Sequence, residues 1–154
     1  EIDFEYSALT SSYAGVMGLL KQNFRILINN STILASVGDN SNITASISTS
    51  FNTRYLLRLR RDVSNNVYVS LDGGTEVLMA NRSGNVLVKN VSNADDNPRY
   101  LTGKVYGWNI NGEKYNLYEG QGDIVKGSLG SEMKIYTSNA DGINHINNTM
   151  WKEI

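Results

Sequence analysis

Cysteine is absent from this chain of 154 residues, so neither a disulfide framework nor a thiolate metal site can be built. Histidine occurs once, as His145. Without cysteine or a patterned carboxylate partner it makes neither a zinc centre nor a catalytic triad, and its polar neighbours place it in a loop. Charge of one sign is lacking too. A net charge of −1 argues against the basic patch of a nucleic-acid binder. No apolar run reaches membrane-spanning length, and no signal peptide or lipidation motif is recognisable, so membrane insertion is not expected. Gly120, Gly122, Gly127 and Gly130 are followed by no Gly-Lys-Ser/Thr, so they read as turn formers rather than a phosphate cradle. Proline appears only as Pro98, and no segment sustains a helical period. The chain opens on Glu1 rather than Met, which reads as a processed or excised piece of a longer protein. Zero cysteine suits a bacterial or viral origin.

What is abundant is asparagine, 20 residues alongside 14 glycines. That balance suits many tight turns between polar-faced strands. The length fits one domain, residues 1–154, with room for a substantial core.

The plainest stretch runs from Arg54 to Met79, RYLLRLRRDVSNNVYVSLDGGTEVLM. Tyr55, Leu57 and Leu59 alternate with Leu56, Arg58 and Arg60, so one face can be buried while the other carries charge. Ser64-Asn65-Asn66 reverses the chain, and Val67, Val69 and Leu71 return along the apolar face. Asp72-Gly73-Gly74 makes a second tight reversal. The result is an antiparallel meander with one wet, cationic, tyrosine-bearing face.

Similar alternation predicts strands over 2–9, 23–28 and 32–37, and around Ile43, Ala45 and Ile47. The short apolar run 14–20, with its two glycines, reads as a buried strand rather than a helix. Further strands are predicted around Val86 and Val88 and over 101–110, 113–118, 132–137 and 148–153. Asn111-Gly112 is the strongest hairpin signal. Residues 119–131 read as irregular, and 92–99, with Pro98, as a crossover between sheets. About a dozen short strands with frequent turns mean an all-β sandwich or barrel.

RYLLRLRRDVSNNVYVSLDGG resembles the central meander of laminin-G-like, concanavalin A-like domains. The later stretch, with its hairpin, its Glu119-Gly120-Gln121-Gly122 and its closing Trp151, is similar to a pattern of such domains in phage and bacterial surface proteins. The resemblance covers most of the chain from about Phe24 onward. It implies a two-sheet antiparallel jelly-roll sandwich exposed extracellularly or on a virion surface. It also implies a non-enzymatic binding role, with glycans or neighbouring virion or surface proteins as partners. Either role fits multimeric display: as a lectin-type module, or as a structural protein decorating a capsid or tail. Laminarinase-type glycoside hydrolases of this fold place three carboxylates on alternate positions of one strand face, as Glu1, Asp3 and Glu5 stand here. Retaining hydrolysis needs two carboxyls about 5–5.5 Å apart, which one strand face can supply. The competing reading is the wet face of an edge strand at the frayed start of the chain.

Sugar rings stack their C–H faces on aromatics and offer hydroxyls to arginine. Arg58 and Tyr68 share the wet face of the meander, and Tyr106 and Trp108 share one face of their strand. These four are the expected ligand-binding residues, with core packing as the competing role for Trp108, and Trp151 is assigned to the core. The loops around 38–42 and 92–97 gather Asp39, Asn40, Asp95, Asp96 and Asn97. Asp39, Asp95 and Asp96 are candidate ligands for a structural calcium, a hard ion wanting six to eight oxygens, against ordinary solvated turns. No other cofactor is expected. Asn29, Asn30, Asn42, Asn81, Asn90 and Asn147 match Asn-x-Ser/Thr, as such abundance of asparagine produces by chance.

Overall fold

A computed structural model describes residues 1–9, 11–18, 24–38, 42–86, 90–91, 101–116 and 124–134. Its strands are β1 (Ile2–Ala8), β2 (Ala14–Gly18), β3 (Phe24–Ile28), β4 (Ile33–Val37), β5 (Asn42–Ala45), β6 (Thr53–Arg61) and β7 (Asn66–Leu71). They continue with β8 (Val77–Asn81), β9 (Asn90–Val91), β10 (Thr102–Ile110), β11 (Glu113–Asn116), β12 (Ile124–Lys126) and β13 (Glu132–Lys134). Among the described residues there is no helix, and the chain is all-β. It forms two compact units, Phe4–Val105 and Glu1–Asp3 with Tyr106–Ile154, and β1 and β10 contribute residues to both.

The larger unit holds two antiparallel sheets, as a β-sandwich requires. One runs β10-β1-β6-β7-β8, the other β5-β4-β3-β2-β9. In the first, alternation places Phe4, Tyr6, Leu57, Val67 and Val69 inside, each fully buried. Phe4 and Tyr55 approach at 6.3 Å between ring centroids, which puts the even positions of β1 and the odd positions of β6 on one face. In the second sheet the inner row is set by β5, where Ile43 and Ala45 are buried while Asn42 and Thr44 face water. Ile26, Ala35 and Ile43 stand in register across it. On β3 and β4 its opposite face is buried as well: Leu27 and Leu34 cluster with Tyr13, and Arg25 and Ser36 are enclosed. The Arg25 guanidinium donates to Asn42 Oδ1 (2.8 Å), which also accepts from Ser36 Oγ (3.1 Å). Burial on both faces explains the near-continuous apolar runs FRILI and ILASV.

Tyr6 spans this unit. Its hydroxyl meets Thr49 Oγ1 (2.7 Å) and Asn30 Oδ1 (3.0 Å), and Thr49 Oγ1 donates to the Asn29 carbonyl (2.9 Å). Elsewhere two backbones nearly touch: a Cβ on Gly38 would collide with the Ser83 carbonyl, and one on Gly84 would lie 2.7 Å from the Gly38 oxygen. Both have positive φ, 72° and 99°. Only residues without Cβ allow this crossing.

In the smaller unit β10 pairs with β11 across Asn111-Gly112, with φ of 52° and 90°, the signature of a type I′ turn. The outer edge of β11 is covered by the turn joining β12 to β13. Ser128 N donates to the Lys114 carbonyl (2.9 Å), Lys114 N to Ser128 Oγ (3.0 Å), and Ser131 N to Glu113 Oε1 (2.8 Å). An edge so covered offers no free ladder.

Most expected strands appear within two or three residues of their predicted bounds. Three differences have physical reasons. The strand expected through Ile47 stops at Ala45, because residues 46–50 leave β4 and Thr49 instead bonds the β3–β4 turn. The stretch 119–131, read as irregular, contains β12, whose partner β13 lies across a glycine-bounded turn. And β1 is no edge strand, since β10 and β6 flank it in the larger unit. The stretches 92–99 and 148–153 and the positions Val88, His145 and Trp151 lie outside the described residues.

Candidate binding face

The meander β6-β7-β8 pairs Arg60 with Tyr68 and Tyr68 with Leu78, so these side chains form a row on the face opposite the core. Arg60 is held twice over. Its guanidinium carbon sits 4.5 Å from the Tyr68 ring centroid, a cation–π distance. Its Nε and Nη2 donate to the two oxygens of Glu76 at 2.9 and 2.5 Å, the bidentate fork that fixes both partners. Arg58 Nη1 lies 4.0 Å from Glu76 Oε1. The Arg60 bond, followed by its charge and that of Arg58, holds the Glu76 carboxyl below the usual carboxylate range. Reciprocally, Glu76 raises Arg60. Arg58 keeps about half its side chain in water, 53%, and Ser70 beneath it is buried.

The turns hold this face stiff. Asp62 Oδ1 accepts from Ser64 N and Asn66 N, both at 2.9 Å, and Asn81 Nδ2 donates to the Ser64 carbonyl (2.6 Å). The Asn66 amide first, with other donors, keeps the Asp62 carboxyl below its ordinary value. At the other end Asp72 (φ 53°) and Gly73 (φ 72°) form a second type I′ turn. Leu56 N donates to Asp72 Oδ1 (2.7 Å), tying that turn to β6. The same outward face carries Leu56 and Leu78, both exposed, Leu78 by 57%.

Of the four expected ligand-binding residues, the structure brings Arg58 and Tyr68 onto this one face. Tyr106 and Trp108 belong to the smaller unit and are 7% and 8% exposed. Trp108 stands directly opposite Tyr115, their rings stacked 5.7 Å apart at 23°. Burial raises the Tyr115 hydroxyl above its ordinary pKa. Asp39, Asp95 and Asp96 lie outside the described residues, and among those described no three His, Cys, Asp or Glu gather to hold a metal.

In the larger unit Glu5 stands between buried Phe4 and Tyr6 and faces away from the core, and in the smaller unit Glu1 and Asp3 flank buried Ile2. Glu5 lies 3.7 Å from Lys104 Nζ. Glu1 Oε2 accepts from Asn109 Nδ2 (3.3 Å). Sequence reasoning placed Arg60 on the right face but missed Glu76. The pattern available was an acid three residues past the Asp72-Gly73 turn, where the chain returns along β7, which carries the β6 arginines on its other side. No family model, curated protein or solved structure matches this chain.

Proposed function

We propose that this chain is a non-enzymatic binding module of the laminin-G-like, concanavalin A-like jelly-roll kind, displayed outside a cell or on a virion and recognising glycans. The observation that carries the reading is the Arg58–Arg60–Glu76–Tyr68 group. It offers two guanidinium groups, a carboxylate and a phenol at fixed spacing on an accessible sheet face. Sugar hydroxyls bond such donors and acceptors, and a pyranose C–H face packs on whatever ring surface Arg60 leaves open. Each contact is weak, and multivalent display sums them.

A glycan array probed with the full chain tests it. Retention on particular glycans, lost in Arg58→Ala while the melting temperature stays put, is the expected result. No glycan signal overturns it. Exposed Leu56 and Leu78 on the same face favour a second reading, a decoration protein whose sheet face meets neighbouring virion subunits. Stable incorporation into particles without glycan binding would favour that one. Turnover of a β-glucan, abolished by Glu5→Gln, would instead favour a hydrolase built on Glu1, Asp3 and Glu5.

A further inference from the structure

We infer that Asn111 is a site of spontaneous covalent modification, passing through a succinimide to aspartate and isoaspartate, and that Asn109 restrains it. Of the asparagines in the chain, Asn111 alone precedes glycine. Its side chain is exposed and makes no hydrogen bond among the described residues. Around Gly112 the space is open, with nothing within 4 Å of where a Cβ would stand. Water can therefore reach the turn.

The chemistry needs no catalyst. The Gly112 nitrogen attacks Asn111 Cγ, the new N–Cγ bond closes a five-membered imide, and the Cγ–Nδ2 bond breaks. Ammonia leaves, taking the proton of the attacking amide. Water then opens the ring at Cγ to give aspartate, or at the main-chain carbonyl to give isoaspartate. Such asparagines are among the thermolabile residues that heat-adapted proteins reduce.

Asn109 opposes the first step. The Gly112 N–H donates to Asn109 Oδ1 at 2.9 Å, so the nucleophile must break that bond before it attacks. Asp72-Gly73 forms the same kind of turn but is held differently: Asp72 Oδ1 accepts the Leu56 N–H at 2.7 Å, and its carboxyl is occupied by β6. At Asn111 either product adds a carboxylate beside Glu113. Isoaspartate also routes the main chain through Cβ, lengthening a two-residue turn that sets the Ile110–Glu113 register.

Incubating the full chain in mildly alkaline buffer, then mapping tryptic peptides by mass spectrometry, tests this. The peptide Val105–Lys114 carries the site. Asn111 is expected to gain the deamidation mass before any other asparagine and to give two separable products. Asn109→Ala should accelerate it roughly fivefold, the ratio matching about 1 kcal/mol for one hydrogen bond. Asn109→Asp, which keeps an acceptor, should stay near the wild-type rate. Earlier modification at another asparagine, or no modification, overturns the site. Equal acceleration by both variants overturns the restraint.

Discussion

Two hairpins of this chain are built alike and end differently. The β7–β8 hairpin closes on Asp72-Gly73 and the β10–β11 hairpin on Asn111-Gly112, both with two consecutive positive φ angles. Each has an aromatic in a cross-strand pair: Tyr68 with Leu78 across β7–β8, where Tyr68 also stands opposite Arg60 of β6, and Trp108 with Tyr115 across β10–β11. The first pair stays at the surface and the second is buried. An aromatic opposite an arginine keeps its charged partner in water, whereas two aromatics opposite each other remove ring area from water together. The partner across the ladder, more than the aromatic itself, decides whether a residue serves as core or as contact surface.

The contrast breaks most visibly at Trp108. Trp108→Ala should cost about 3–5 kcal/mol, the range for deleting a large buried aromatic, read as a lower denaturant midpoint. A loss near zero would mean the stack is not core. Asp72→Ala comes next. It forces alanine into the left-handed region, about 1–2 kcal/mol, and removes the acceptor of the Leu56 amide. Tyr68→Ala should cost only about 0.2–1 kcal/mol, the scale of a cross-strand pair, while abolishing glycan retention. A stability loss as large as that of Trp108→Ala would place Tyr68 in the core instead.

Titration sharpens the comparison with the smallest effects. Tyr115 has its folded pKa raised, chiefly by burial. Its contribution is therefore present below about pH 10, the unfolded value, and lost as pH climbs through the folded one. Asp62 and Glu76 are depressed by Asn66 and Arg60 respectively. Their contributions are present above about pH 4 and lost as pH falls through their folded values. Tyr115→Phe should remove part of the alkaline loss, and Glu76→Gln part of the acid loss. An unchanged midpoint-versus-pH curve in either variant contradicts the assignment.

Much of the fold was legible because its causes are local. Asn65, Asp72 and Asn111 all adopt positive φ, as turn chemistry demands of short polar residues. Leu57, Val67 and Val69 are buried as two-residue alternation requires. What escaped depends on partners distant in sequence. YGWNI alone does not say that Tyr115 will cover Trp108; that follows only once the Asn111-Gly112 turn sets the register. The Arg60–Glu76 fork joins residues 16 apart in sequence, and the β7–β8 ladder pairs Val69 with Val77, one residue out of step with a two-residue turn at Asp72-Gly73. Counting from the turn alone therefore misplaces the acid. Both-face burial of Leu27 and Leu34 likewise depends on packing that the apolar run permits but does not specify.

The central claim is that the outer face of the meander is a binding surface, separate from what holds the chain folded. The direct measurement is calorimetric titration of the glycan best retained on the array into wild type, Arg58→Ala and Tyr68→Ala, with melting curves recorded alongside. The account predicts affinity at least about tenfold weaker in both variants, the loss of roughly 1.4 kcal/mol, with folding nearly intact. Unchanged affinity, or weakening that merely follows lost stability, would contradict it.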